Sequence, residues 1–110
     1  MLKMDMEYEG GILFIRLKGV LNRKGSYKIN NYLVPVLSKH KIKNIILNLK
    51  NLKSIDESGV DAILNPKCAI KRNKGKLYLC EVNNEIALKV KRLHVKKTSS
   101  ELTALKMIEV

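Results

Sequence analysis

From Ile45 to Leu64 the chain reads IILNLKNLKSIDESGVDAIL, a continuous apolar run that gives way to a polar turn and then to helical spacing. Ile45, Ile46, Leu47 and Leu49 make the short β-branched and aliphatic run of a strand buried on both faces of a mostly parallel sheet. Val60, Ile63, Leu64 and Cys68 then recur at helical spacing, with Asp61 and Asn65 on another face. Between them lies Asp56-Glu57-Ser58-Gly59. Asp56 is a good N-cap, Glu57 complements the positive end of the helix dipole, and Gly59 leaves the backbone beside Ser58 uncovered. The order predicts an exposed Ser58 at a helix N-terminus, where an added phosphate sits in a favourable field. The plainer reading of the same residues is a helix cap in some other α/β domain.

The remaining pattern alternates strands with helices. Met4 to Glu9 reads as an edge strand, and Gly10-Gly11 as a turn into a strand from Ile12 to Lys18, whose Leu13, Ile15 and Leu17 face the core. Ile29, Tyr32, Leu33, Val36 and Leu37 mark an amphipathic helix from about Lys24 to Lys39. A strand Lys43 to Leu49 and a helix Ser58 to Asn73 follow, and Gly75 stops that helix before a strand Lys76 to Val82. Asn83 caps a helix carrying Ile86, Ala87, Val90 and Leu93. A short strand near His94 to Lys97 leads to Thr98-x-x-Glu101, a capping box, and to a last helix carrying Leu102, Leu105 and Ile108. Pro35 and Pro66 fall inside these helices and are expected to kink or shorten them. Strands separated by helices imply right-handed parallel crossovers.

The strand, turn and helix around Ser58 resemble the hallmark of STAS domains of the anti-sigma factor antagonist type, in which Asp-Ser-Ser-Gly or a close variant follows a strand. Asp56 and Gly59 match the flanking residues, and Ser58 matches the second serine, the family's phosphoacceptor. Glu57 replaces the first serine. Ile12 to Leu21 is similar to the family's second strand and Gly-x-Leu turn, after which this chain has Asn22 where an Asp often stands. The resemblance covers essentially all 110 residues and implies an α/β, STAS-like fold: a central mixed, mostly parallel sheet of four to five strands with about four helices.

The resemblance also implies a function without catalysis. An anti-sigma factor antagonist binds an anti-sigma factor with serine kinase activity and frees a sigma factor, until the kinase phosphorylates the serine and the complex falls apart. It places the partner surface at Asn22, Arg23 and Lys24, with Val60 and Asp61 beside the switch turn, and implies a monomer or weak dimer. The alternative within the same fold is a scaffold subunit of a stress-sensing or lipid-transport complex.

Length and composition narrow the field. A chain of 110 residues supports one small domain, residues 1–110, with a single core. It has neither an apolar segment of ~18 residues nor a charged and apolar leader, so a cytoplasmic location without membrane insertion is expected. Cys68, on the apolar side of a helix, and Cys80, at a strand end, read as small buried residues of a reducing compartment. No metal or cofactor site is expected.

Charge is the competing signal. Lys and Arg total 22 against 10 acidic residues, which raises a distant alternative, a basic nucleic-acid-binding domain. Only Arg16, Arg23, Arg72 and Arg92 are arginines, however, and base recognition favours arginine with interleaved aromatics. No direct nucleic-acid contact is therefore expected, and the dense runs Lys67 to Lys76 and Lys89 to Lys97 read as solvated faces. Enzyme signatures are absent: Ser58 has no Gly-x-Ser-x-Gly elbow, His40 and His94 lie at element ends, and Gly10-Gly11 lacks the residues of a phosphate loop.

Overall fold

The computed structural model describes residues 1–109. A five-stranded sheet forms its centre: β1 (Lys3–Glu9), β2 (Ile12–Leu21), β3 (Asn44–Ile55), β4 (Lys76–Cys80) and β5 (Lys96–Thr98), in the spatial order β1-β2-β3-β4-β5. β1 pairs antiparallel with β2, and the other three pairings are parallel. Each parallel crossover therefore moves the same way across the sheet. Right-handed crossovers that share a direction place their helices on one face. A helical segment of α1 (Arg23–Lys28), a π turn (Ile29–Leu33) and α2 (Val34–Lys39) joins β2 to β3. α3 (Glu57–Arg72) joins β3 to β4, and α4 (Asn84–Val90) with a 3-10 turn (Lys91–Leu93) joins β4 to β5. After β5 the chain crosses to the other face as α5 (Glu101–Glu109).

Two apolar clusters follow from this layering. Leu13, Ile15 and Leu17 of β2 and Ile45, Leu47 and Leu49 of β3 pack against Ile29, Leu33, Leu37, Ile63 and Ile70 on the inner side. Ile12, Ile46, Tyr78 and Cys80 meet Ala104 of α5 on the outer side. Arg16, Asn48 and Glu101 fasten that helix: Arg16 donates from Nε and Nη2 to the Glu101 carboxylate at 2.9 and 2.8 Å, and Asn48 Nδ2 donates to it at 2.7 Å.

Several expectations need correction. Pro66 lies inside α3, which runs unbroken for 16 residues. A helix-interior proline costs about 3 kcal/mol. Val60, Ile63 and Ile70 are each at most 3 % exposed, and burying side chains of this size contributes roughly 1.5–3 kcal/mol apiece, so packing wins. Pro35 stands at the start of α2, directly after the π turn, where the Val34 N–H donates to the Ile29 carbonyl. The wide turn divides the helical segment without ending it. The capping box is displaced: Ser100, and not Thr98, caps α5, its Oγ accepting from the Thr103 N–H at 3.1 Å. Leu102 is exposed, and Ala104 takes the central packing position. Cys68 is exposed and Cys80 buried. β2 continues past Lys18 to Leu21, and β5 begins at Lys96.

Candidate functional site

β2 and β3 end side by side, with Leu21 opposite Ile55 and the Asp56 N–H donating to the Leu21 carbonyl at 3.3 Å. Each strand then runs into an Asn or Asp that caps a helix. Asn22 Oδ1 accepts from the Gly25 N–H at 3.1 Å, and Asp56 Oδ1 accepts from the Gly59 N–H at 2.9 Å. The starts of α1 and α3 are therefore neighbours built on one pattern, Asx-x-x-Gly. A Cβ added to Gly59 would overlap the carbonyl oxygen of Leu21, so only glycine lets the two caps approach this closely.

Ser58 occupies the second position of α3, one residue after Glu57. It is half-buried, where the sequence predicts an exposed serine. Its carbonyl oxygen lies 3.0 Å from the Ser26 hydroxyl, which also lies 2.8 Å from the Asn22 carbonyl and shares its one proton between them. Uncapped N–H groups and the positive end of the helix dipole surround the Ser58 position, so an anion there is favoured without refolding.

The other flank belongs to α4 and its 3-10 turn. A cleft of about 450 Å³ is lined by Ile55, Asp56, Glu57, Val60, Lys89 and Arg92, and Ser58 is not among those residues. Lys89 Nζ donates to the Ile55 carbonyl at 3.3 Å, and Arg92 Nη2 donates to Asp61 Oδ1 at 2.6 Å. Asp61, with a smaller contribution from Glu57, stabilises the charged form of Arg92 and raises its pKa. Glu57 and Ser58 thus serve different surroundings although they are adjacent in sequence.

The expected site residues gather at this end of the sheet, with one exception. Asn22, Arg23 and Lys24 lie beside Asp56 to Gly59, and Arg23, Lys24 and Asp61 are exposed. Val60 is 3 % exposed and belongs to the core, because its helical phase points it at the sheet. Three residues were not anticipated: Ser26, Lys89 and Arg92. The repeated Asx-x-x-Gly pattern at Asn22 and Asp56 was a usable signal for the first, whereas the two cations are 31 to 34 residues from their partners and left none. His40 and His94 line separate cavities.

Among the described residues, one cluster brings metal-type ligands together, Cys80 with Glu81 and Glu101. Its carboxylates already accept from Asn48 Nδ2 at 2.6 and 2.7 Å, and Arg16 holds Glu101, so the cluster serves to anchor α5. No helix among these residues is long and apolar enough to cross a membrane.

The STAS domain family model matches residues 3–105. The chain belongs to the STAS domain family. An anti-sigma F factor antagonist from Paenibacillus polymyxa is 32 % identical over 82 residues, covering 74 % of this STAS chain and 70 % of the relative. The unphosphorylated form of the anti-sigma factor antagonist SpoIIAA superposes with a TM-score of 0.81 at 20 % identity, covering 97 % of this chain and 98 % of that one. The phosphorylated form of the Bacillus cell fate determinant SpoIIAA gives 0.78 at 18 % identity, with 96 % and 99 % covered. At such identities the two structures establish the STAS fold alone.

Proposed function

We propose that this STAS domain is a cytoplasmic anti-sigma factor antagonist whose partner binding is controlled by phosphorylation of Ser58. The observation that carries the reading is the placement of Ser58 at the second position of α3, with Asp56 capping the helix and the start of α1 alongside. The naming of the Paenibacillus polymyxa relative supports it. The partner is an anti-sigma factor that also acts as a serine kinase. It docks on Asn22, Arg23, Lys24 and Asp61 around the switch turn Asp56-Glu57-Ser58-Gly59, and the unmodified domain holds it away from a sigma factor.

Phosphorylation then adds about −1.5 to −2 charges and a strongly hydrated group to the middle of that surface. Like charge from Glu57 and Asp61 stands close by. The helix N-terminus holds the phosphate in place, so release is local electrostatics and no rearrangement of the fold is required. The domain itself performs no catalysis in this scheme; the kinase supplies the chemistry.

The test is to incubate the protein with the anti-sigma factor of its native host and ATP, and to map phosphopeptides. Phosphate on Ser58 with loss of the complex is the expected result. Phosphate elsewhere, or none from an active kinase that binds the domain, overturns the reading.

A further inference from the structure

Residues 66–80 and 86–100 contain ten of the 22 lysines and arginines and no acidic residue. The fold brings these two runs together. The C-terminal half of α3, the start of β4, the 3-10 turn and the edge strand β5 enclose a cleft of about 260 Å³, lined by Lys67, Lys71, His94 and Lys96 with apolar residues and no carboxylate. Lys67 Nζ donates to the Leu93 carbonyl at 2.6 Å, which fixes one ammonium group at the seam between the runs. Arg92 faces Asp61 and Lys89 faces Glu85. No ion pair joins the other eight cations to a carboxylate among the described residues. Leu88, 75 % exposed, projects from α4 one turn before Lys91 and Arg92.

Carrying this much uncompensated charge along one edge of the domain, with Lys67, Lys71 and Lys96 around a single cleft, raises the local potential and attracts polyanions. The composition of the face selects among them. Eight of the ten cations are lysines, compact point charges without the planar fork that reads bases or single phosphates in a fixed geometry. The one tyrosine of the two runs, Tyr78, is buried, which leaves no exposed Phe, Tyr or Trp there to stack on a base. A lysine field with an exposed leucine instead suits a surface that presents many phosphates and admits an apolar tip. We propose that this face is a peripheral docking surface for an anionic lipid bilayer. Its cleft begins about 14 Å along α3 from Ser58, at nine residues and 1.5 Å each, and shares no lining residue with the cleft of Asp56, Glu57, Lys89 and Arg92 beside the switch.

The test is co-sedimentation of the full chain with phosphatidylcholine vesicles with and without phosphatidylglycerol. Retention by the anionic vesicles, falling with added salt, is expected. Each basic side chain at such a surface contributes roughly fivefold to affinity, so Lys67→Glu/Lys71→Glu/Lys96→Glu, which removes three cations and adds three anions, should lower vesicle affinity by at least about 100-fold. The control Lys3→Glu/Lys18→Glu/Lys50→Glu changes net charge equally on the outer face of the sheet and should retain most of the binding. If the first triple variant fails to fold, Lys74→Glu/Lys96→Glu/Lys97→Glu, all at exposed positions, replaces it. Equal losses in patch and control variants, or no retention by anionic vesicles, would overturn the surface. Tighter binding to duplex DNA at the same phosphate concentration would overturn the lipid assignment in favour of nucleic acid.

Discussion

The Ser26 hydroxyl lies 3.0 Å from the carbonyl oxygen of Ser58, so the first turn of α1 is fastened to the first turn of α3. Ser26 is only 9 % exposed, which leaves its hydroxyl without free access to water. Ser26→Ala should lower unfolding stability by about 1 kcal/mol, the net worth of such a bond, as read from the urea midpoint. It should also loosen the two caps relative to each other, seen as faster amide exchange at Gly25 and Gly59.

Glu57 lies in the cleft with Lys89 and Arg92, apart from Ser58. A carboxylate there has one charge and two oxygens where a phosphate has nearly two charges and three. Ser58→Asp should therefore weaken the anti-sigma factor complex by tenfold or more, on the order of 1.4 kcal/mol, whereas Glu57→Ser changes it by less than about 1 kcal/mol. Calorimetry on the two variants decides. Strong gain of binding in Glu57→Ser with no effect of Ser58→Asp would identify a constitutively released protein.

Gly59 and Gly10 separate steric from conformational requirements. Helix propensity alone predicts that Gly59→Ala stabilises α3 by about 1 kcal/mol. The overlap of a Cβ with the Leu21 carbonyl predicts the opposite sign, a loss of about 3 kcal/mol. Gly10, at φ +59° with nothing within 4 Å of a Cβ, should lose only about 1 kcal/mol as alanine. Paired urea titrations give both values.

The Glu101 carboxyl is held below its ordinary pKa of 4.5, first by the hydrogen bond from Arg16 and then by that from Asn48, against the opposing effect of burial. A depressed folded-state pKa gives stability that is present above the unfolded value and is lost as pH falls through the folded one. Unfolding free energy should thus decline as pH drops below about 4.5, and Glu101→Gln should flatten that decline while lowering stability near neutrality. The pH dependence of the urea midpoint in the two proteins checks both statements.

The two thiols should behave differently toward a thiol-specific disulfide reagent. Cys80 is buried, and burial with the nearby Glu101 and Glu81 charges pushes its thiol up to about 12, so little nucleophilic thiolate forms. Cys68 is exposed. One thiol should react in the native protein and the second only in denaturant; two fast native thiols would contradict the buried position of Cys80.

What the sequence by itself determined is local. The apolar run Ile45 to Leu49, the Asp56 cap and the helical spacing after it specify a strand, a turn and a helix through periodicity and capping, which act over a few residues, and they locate Ser58. Alternation along Ile12 to Lys18 likewise set the core face of β2. The tertiary structure alone decided everything that depends on distant partners. Pro66 stays in a helix because the core between α3 and the sheet outweighs its missing hydrogen bond, and Val60 is buried in that core, as its helical spacing indicates, and not on the partner surface that the resemblance implies. Lys89 and Arg92 reach Ile55 and Asp61 across more than 30 residues, and two lysine runs that look like separate solvated faces close around one cleft. Hydrophobic burial and long-range charge act through space and not along the chain, so no window of sequence contains them.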